Sequence, residues 1–378
     1  MKSYKAIGVM AGTSQDGIDL AGVLFYKDKA GKEWCWELVH AVTVPYSQEW
    51  SLRLKESISL PGAEVAKLHT DYGHLLGFVL RQFIIESGFV PDFVASHGAT
   101  IFHQPERHFT FQLGCGETIV SYLEVPLICN FRARDVAFGG QGAPLVPAGE
   151  RALFKEYSVF LNLGGIASIG VHHPTQFDII TWKGKIGEVL GWDISPCNLV
   201  LNYLAQKTGV LFDRDGELAR SGKINSELLQ ALKDAPYYAL FPPKTLGREW
   251  VEENVFPIVD RFNVRDGLHT FVVHLAQVIQ NELEKFNIQN TKILVTGGGA
   301  FNIFLVEQLR AALAKLNIEV ILPSKEIIAY KEAIIFAYLG LACLLRISNV
   351  WASVTGAKQN SIAGSIHLPN NSKISLLL

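Results

Sequence analysis

The chain of 378 residues has a formal net charge of −2, with 49% hydrophobic and 19% charged residues. This composition excludes a disordered chain and is enough for about two domains. The small net charge argues against a nucleic-acid partner, because nucleic-acid binders normally show a basic excess. Five cysteines without CxxC spacing argue against a zinc site or a disulfide framework and favour a reducing cytoplasm.

The apolar segments predict no membrane partner. The N-terminus MKSYKAIGVM lacks the long apolar core and cleavage site of a signal peptide. The most apolar stretch, 333–347, is shorter than the roughly 20 residues that span a bilayer. We therefore expect it to form a buried helix in a cytoplasmic protein.

The first third of the chain predicts an antiparallel meander followed by helices. Apolar alternation predicts strands at 4–11, at 18–26 and within 32–46, and apolar spacing of three and four residues predicts helices over most of 47–88. Further along the chain we expect a buried strand within 91–100, a strand at 109–114, a helix at 117–123 and a strand at 126–131.

The outline of the opening returns further along the chain. Residues 158–173 form a second apolar run, glycine turn and apolar run, and 291–313 predict a strand, a glycine turn and a helix. Between them, a helix is expected at 197–208. The recurrence after roughly 150 residues indicates two related α/β halves.

Three glycine-rich turns each follow an apolar strand. The first, GTSQDG at 12–17, suits an anion because its glycines let the backbone approach closely and its amides form a nest. Taken alone it is equally typical of a glycine hairpin, and it lacks the lysine of a Walker loop. LNLGGIAS (161–168) and VTGGGAFN (295–302) follow the same pattern, and the last leads into a helix N-terminus. Three such turns indicate a nucleotide held between two halves.

A carboxylate, Asp193, stands in the segment GWDISPCN (191–198). Such a group at the mouth of a nucleotide site suits a general base. Because Ser195-Pro196 opens the expected helix, a capping role near that helix N-terminus is the alternative.

Two loops carry arginine or lysine beside rigid turns. NFRARDVAFGGQGAPLVP (130–147) holds Arg132, Arg134 and Asp135, and arginine forks suit carboxylates and sugar hydroxyls. We interpret it as a substrate-side loop. FPPKTLGREW (241–250) is similar in kind, although it is equally typical of a surface turn before a helix.

His97, after the expected buried strand, raises a nucleophilic alternative. A pair with Cys115 or Cys197 would activate a thiolate. The competing interpretation is a structural histidine or a substrate contact.

Eight motifs in this order resemble the anhydro-N-acetylmuramic acid kinase family over nearly the whole chain. They are GVMAGTSQDGID, SHGATIFHQP, NFRARDVAFGGQGAPLVP, FLNLGGIASI, WDISPCN, FPPKTLGRE, LVTGGGAFN and SVTGAKQNSIAGSIH. The resemblance implies an α/β fold of two ribonuclease-H-like (actin-like ATPase) domains flanking an interdomain nucleotide cleft. We place the first domain at 1–133 with a C-terminal return at about 352–378, and the second at 134–351.

The resemblance also implies a reaction. ATP, with Mg²⁺, would phosphorylate the 6-oxygen of 1,6-anhydro-N-acetylmuramic acid while water opens the anhydro ring. The products are N-acetylmuramic acid 6-phosphate and ADP, in peptidoglycan recycling. Asp193 matches the catalytic aspartate that activates this water. A homodimer is implied by the family alone, and the metal ligands stay open.

The implied site residues fall into two groups. Residues matched to nucleotide binding are Gly12, Thr13, Ser14, Gln15, Asp16, Gly17, Ile18, Asp19, Asn162, Gly164, Gly165, Gly297, Gly298, Gly299 and Asn302. Residues matched to the sugar side are His97, Thr100, Arg132, Asp135 and Glu332. Asp16 and Asp19 would stand beside the magnesium-bound phosphates.

The chain departs from the family at Ser195 and Cys197, where many relatives have glycine. Side chains there would narrow the phosphate approach or shift the loop. A related sugar kinase with a shifted substrate, or a nucleotide-binding sensor without phosphoryl transfer, therefore remains an alternative.

Overall fold

The computed structural model describes residues 2–11, 17–173, 189–242 and 244–370. The chain divides into two compact units. Unit 1 contains Met1–Lys155 and Tyr330–Leu378, and unit 2 contains Glu156–Ala329.

The elements follow one another in three groups. The first group contains β1 (Ser3–Ala11), β2 (Gly17–Lys27), β3 (Trp34–Pro45), α1 (Gln48–Glu56), α2 (Gly62–Ser87), β4 (Phe93–Ser96), β5 (Ala99–Gln104), β6 (Phe109–Leu113), α3 (Gly116–Val120), β7 (Leu127–Cys129), α4 (Ala133–Ala137) and α5 (Val146–Leu153). The second contains β8 (Val159–Leu163), β9 (Ile166–His172), β10 (Val189–Pro196), α6 (Asn198–Gln206), α7 (Glu217–Arg220), α8 (Ser226–Lys233), α9 (Arg248–Asn254), α10 (Phe256–Val259), α11 (Val264–Lys285), β11 (Lys292–Thr296), α12 (Ile303–Leu313) and β12 (Glu319–Ile321). The third contains α13 (Lys325–Leu344), α14 (Ala352–Thr355) and β13 (Ser365–His367).

The main sheets of the two units share a five-strand order. It is β3-β2-β1-β4-β7 in unit 1, where β13 adds a sixth, antiparallel strand beside β7, and β10-β9-β8-β11-β12 in unit 2. Each sheet begins with an antiparallel meander, β1–β2–β3 or β8–β9–β10, and continues with parallel strands beside its first strand. This repetition confirms the predicted ribonuclease-H-like α/β architecture of each half.

The predicted domain boundaries at 133 and 352 are displaced in the structure. Residues 134–155 and 330–351 both belong to unit 1. The reason is the packing of these two segments against the first sheet and each other. Lys331 Nζ lies 2.6 Å from Glu150 Oε1 in a buried ion pair, and Trp36 Nε1 of β3 donates to Leu153 O at 2.9 Å.

Helix α13, which belongs to unit 1 from Tyr330 onwards, is a core helix of that unit and contains most of the apolar stretch singled out in the sequence. Among the described residues it is the helix long and apolar enough to cross a membrane, yet 72% of its most apolar window is buried. A Cβ added at Gly8 of β1 would lie 1.8 Å from Ala333 O, so strand and helix backbones pack closely. The prediction of a buried helix is confirmed.

Candidate active site

The second and third glycine turns meet in unit 2. Strand β11 runs parallel to β8 with Thr296 opposite Asn162, so both turns start at one edge of the sheet. A Cβ added at Gly297, where φ is 83°, would lie 2.5 Å from Asn162 Oδ1, and one at Gly299 would lie 2.7 Å from Leu163 Cβ. Both positions require glycine because the turns pack against each other nearly backbone to backbone.

The N-terminus of α6 is fastened to the same turn. The backbone N–H groups of Cys197 and Leu199 donate to Gly165 O, and that of Asn198 donates to Gly164 O. The Asn198 side chain adds a bond from Nδ2 to Leu163 O at 2.8 Å. This structural role of Asn198 was not predicted, although its place at the start of an expected helix was a usable signal.

The edge formed by these turns fits a polar anionic ligand. Gly298 is exposed, and a Cβ there would meet only Asn198 Nδ2, at 3.5 Å, so the main chain can be approached. The Thr296 hydroxyl is buried and has no hydrogen-bond partner within the part of the chain that the structure describes. Accessible backbone and an unsatisfied hydroxyl at the carboxyl ends of parallel strands are typical of a phosphate site.

Asn302 has a structural role at the end of the third turn. Its Oδ1 accepts a hydrogen bond from Leu305 N at 2.9 Å and caps the N-terminus of α12. The predicted contact of Asn302 with a nucleotide stays a prediction.

Asp193 lies on β10, three residues before the end of the strand. Its Oδ2 accepts from Leu246 N at 2.9 Å, its N–H donates to Lys244 O at 3.2 Å and its C=O accepts from the Tyr237 hydroxyl at 2.8 Å. The capping alternative is wrong, because the N-cap of α6 is Cys197, which makes no side-chain cap bond. The carboxylate is instead held in place by a neighbouring backbone segment.

Burial raises the pKa of Asp193 to about 6. The hydrogen bond from Leu246 N and the positive charge of Lys244 act in the opposite direction, because both stabilise the carboxylate. A carboxyl group with such a pKa ionises near neutral pH while staying basic enough to accept a proton.

The two departures from the family pattern face inward. Ser195 and Cys197 are both fully buried. Ser195 Oγ lies 3.2 Å from the Tyr238 hydroxyl, and Cys197 packs in the hydrophobic core of unit 2. Their side chains therefore point into the interior of unit 2 and not toward the phosphate approach that they were expected to narrow. The alternative expectation, a shift of the loop, stays a prediction.

The first predicted phosphate loop is only partly described. Gly12, Thr13, Ser14, Gln15 and Asp16 lie outside the described residues.

The remaining three residues of that loop begin β2. A Cβ at Gly17 would lie 2.7 Å from Val44 O of β3, and Ile18 is 1% exposed in the core, so its side chain faces away from solvent. Asp19 is partly exposed and accepts from Thr43 Oγ1 at 2.6 Å. Among the described residues, no cluster of three or more His, Cys, Asp and Glu side chains could hold a metal ion.

Three of the predicted sugar-side residues are linked in unit 1. Arg132 Nε lies 3.0 Å from His97 Nε2, and His97 Nδ1 lies 2.8 Å from Gly98 O. Burial, and then the Arg132 charge, keeps the pKa of His97 well below its usual range, so the ring is neutral and accepts from Arg132. The nearby charge of Glu332 partly offsets the burial that lowers the pKa of Arg132 to about 10.

The Cys–His alternative does not hold for the described geometry. Both ring nitrogens of His97 are engaged, one by Gly98 and one by Arg132. Burial raises the pKa of Cys197 to about 12, so this thiol is protonated at neutral pH.

The remaining predicted sugar-side residues differ in environment. Thr100 lies on β5 opposite Gln112 and is partly exposed. Asp135 is fully buried, where its Oδ2 accepts from Gly142 N and its Oδ1 accepts from Thr355 Oγ1, both at 2.7 Å. The geometry gives Asp135 a structural role that joins the 130–147 loop to the C-terminal return.

We expect Thr355→Val to destabilise the protein by about 1–3 kcal/mol, because it leaves a buried carboxylate oxygen without its hydroxyl donor. Thr355→Ser keeps that donor and is the matched control. Urea unfolding of both variants measures the difference. Equal losses of stability in the two variants would contradict the importance of this bond.

The two units share this sheet order, and unit 2 also carries the two packed glycine turns and strand β10 with Asp193. Together these features define a protein of the actin-like ATPase class. A family model described as anhydro-N-acetylmuramic acid kinase matches residues 4–369. The chain belongs to this family.

Relatives named anhydro-N-acetylmuramic acid kinase match along nearly their whole length. Those of Vibrio cholerae, Bacillus cereus and Legionella pneumophila are 34%, 32% and 31% identical, over 96% of this chain and 98%, 98% and 97% of theirs. Among solved structures, a dehydratase activator from Clostridium difficile with bound ADPNP has a TM-score of 0.43 at 13% identity, covering 88% of this chain and 92% of that one. At that level the structural similarity does not bear on the reaction.

Proposed function

We propose that this chain is an ATP-dependent kinase that hydrolytically opens 1,6-anhydro-N-acetylmuramic acid and phosphorylates its 6-oxygen. Family membership over residues 4–369 supports the kinase activity and its substrate. The observation that carries the proposal is the position of Asp193. This carboxylate, whose pKa is about 6, lies on the strand that leads into the α6 N-terminus bonded to the Gly164–Gly165 turn.

Asp193 acts as the general base in this proposal. It accepts a proton from the water that attacks the anomeric carbon, and the new C–OH bond forms as the bridging C–O bond breaks. The released 6-oxygen takes the γ-phosphoryl group of ATP, which leaves ADP. The sum is one ATP, one water and one anhydro-sugar converted to a sugar 6-phosphate, ADP and a proton.

The glycine turns of unit 2 provide the polar surface for the nucleotide. The main chain at Gly298 can be approached and Gly164 and Gly165 are partly exposed, while the buried Thr296 hydroxyl beneath them has no hydrogen-bond partner among the described residues. Mg²⁺, when bound with ATP, would neutralise phosphate charge during transfer. Asp19, which bonds to Thr43, is the described carboxylate that we propose to stand near that ion.

Unit 1 provides the groups for the sugar. Arg132 keeps its positive charge at neutral pH, since its pKa of about 10 lies well above 7. A guanidinium held by His97 and by Gly142 O is oriented to bind the carboxylate of the sugar's lactyl group. Glu332 and Thr100 are proposed hydroxyl contacts.

The pKa of Asp193 predicts how activity depends on pH. Since the base must be ionised, kcat should fall as pH drops through about 6 and level off above it. An initial-rate profile from pH 4.5 to 8.5 at saturating substrates tests this. An acidic limb near 4, the ordinary value for an aspartate, would contradict the raised pKa.

The decisive experiment measures ADP release with and without the anhydro-sugar, then analyses the product formed in ¹⁸O-labelled water. One phosphate and one ¹⁸O at the anomeric carbon support both halves of the reaction. A phosphorylated product from another sugar would favour the shifted-substrate kinase. ATP binding without sugar-dependent ADP release would favour the sensor.

Location and assembly are part of the proposal. All five cysteines are free, which supports a reducing compartment such as the cytoplasm. A homodimer is proposed from the family resemblance, and light scattering of the purified protein measures it.

A further inference from the structure

We infer that the buried ion pair of Lys244 and Glu282 is a positioning device that holds the backbone segment 244–246 against Asp193. This inference rests on the proposed function for its effect on turnover. From the sequence, the loop 241–250 that contains Lys244 was open between a substrate-side loop and a surface turn before a helix. In the structure the loop leads into α9, but the Lys244 side chain is 3% exposed and points to α11.

The ion pair connects three elements at one carboxylate. Lys244 Nζ lies 2.8 Å from Glu282 Oε1, and Trp192 Nε1 donates to the same oxygen at 2.8 Å. Trp192 directly precedes Asp193 on β10. Glu282 therefore holds the strand that carries Asp193 and the segment that binds the Asp193 carboxylate.

Segment 244–246 contacts Asp193 from two sides. Lys244 O accepts from Asp193 N, and Leu246 N donates to Asp193 Oδ2. Two hydrogen bonds within three residues fix the carboxylate only if the segment itself is fixed. Within the segment Thr245 is exposed, whereas Lys244 and Leu246 are buried, and Lys244 ties the segment to α11 through its ion pair.

A buried ion pair costs desolvation energy that a hydrophobic pair would avoid. Such a pair is therefore weak evidence for stability, and a positional role is a better account of it here. The ammonium also provides a positive charge near Asp193. The pair thus orients the carboxylate, and the Lys244 charge favours its ionised form.

Other titratable groups around Asp193 do not duplicate this effect. Burial, and then the charge of Asp193, raises the pKa of Tyr237 far above its usual range, so its hydroxyl stays protonated. His274 of α11 bonds to Tyr238, and burial lowers its pKa to about 3, so it stays neutral. Lys244 and Glu282 form the charged pair beside Asp193, and Lys285 of α11 interacts electrostatically with both members of that pair.

The test variant is Lys244→Met/Glu282→Gln, which removes both charges together so that neither is left unpaired in the interior. The amide oxygen introduced by Glu282→Gln can still accept from Trp192 Nε1. The matched control, Lys292→Met/Glu319→Gln, removes an exposed Lys–Glu pair of the same unit, with side chains 61% and 60% exposed.

We expect kcat at pH 7 to fall about 10- to 100-fold in the test variant, as for a misplaced catalytic group, with the KM for ATP within about threefold. The acidic limb of the kcat profile should move to higher pH, because two influences that lower the pKa of Asp193 are weakened or lost. The control should match the unmodified protein. An unchanged acidic limb with kcat within about threefold of the unmodified protein would overturn the inference.

A second readout does not depend on turnover. In ¹⁵N-leucine-labelled protein, the Leu246 amide should titrate with Asp193, with a midpoint near 6 in the unmodified protein and higher in the test variant. If the unmodified protein lacks turnover but this shift occurs, the proposed function fails and the positioning role stands. If turnover is present and the midpoint does not move, the positioning role fails alone.

Discussion

Replacing Asp193 with asparagine is expected to lower kcat by about 10²–10⁴-fold, the contribution of a positioned general base, while ATP binding stays nearly unchanged. Asparagine preserves the shape and can still accept from Leu246 N, so the variant removes basicity with little change in geometry. ADP release measures kcat, and calorimetry measures ATP affinity. Near-normal turnover in this variant would eliminate Asp193 as the base.

The Asp193→Asn variant should also be more stable than the unmodified protein at alkaline pH. The folded-state pKa of about 6 exceeds the ordinary 3.8, so the folded protein holds this proton more tightly and stability declines as pH rises between these values. Because Asp193 is partly exposed, solvent screening reduces this effect. Removing the ionisable group should therefore add about 1–2 kcal/mol to the free energy of unfolding at pH 8 and nearly nothing at pH 4. Asp234→Asn, at an exposed position of unit 2, is the control. It should show neither the fall in kcat nor the gain in stability at pH 8.

Replacing Gly297 with alanine is expected to cost about 2–5 kcal/mol of stability, from a positive φ and from overpacking. The new methyl would lie 2.5 Å from Asn162 Oδ1 and 2.8 Å from the Leu163 carbonyl, so the two glycine turns must separate. We expect ATP affinity to fall at least about tenfold, which corresponds to about 1.4 kcal/mol.

Gly209→Ala separates conformational strain from contact. Gly209 has φ 85°, nearly that of Gly297, and no atom lies within 4 Å of the added Cβ. It should therefore show only the cost of the positive φ, about 1–2 kcal/mol, with normal ATP affinity. If Gly297→Ala and Gly209→Ala lose the same stability and bind ATP equally well, the packing of the two glycine turns does not contribute to ATP binding.

Local patterns account for the parts of the fold that were predicted. Alternating apolar residues marked β1, β2 and β3, and the β8–β9 hairpin was predicted from its similar outline, because both patterns depend on neighbouring residues. Strand β10, which carries Asp193, was not predicted. Helix α11 was missed, although Asn263 caps it and its buried residues follow helical spacing. The cap residue and this spacing are local signals, so the sequence alone was sufficient to predict α11.

The candidate site was predicted in its residue types and only partly in their roles. Asp193 and the second and third glycine turns are on one unit, as their order suggested, whereas Asp135 and Asn302 make structural hydrogen bonds that compete with a ligand role. A motif identifies a position along the chain, but the partners of a side chain depend on distant segments.

By itself the sequence determined the family, the two related α/β halves and the glycines that the turns require. These features depend on the order of motifs along the chain and on the spacing of neighbouring residues. Only the tertiary structure decided that Lys244 points inward to Glu282, 38 residues away, and that Ser195 and Cys197 face the core. It also moved the domain boundaries to Lys155 and Tyr330. These outcomes depend on which buried surfaces meet, and contacts between distant residues leave no periodic signal in the chain.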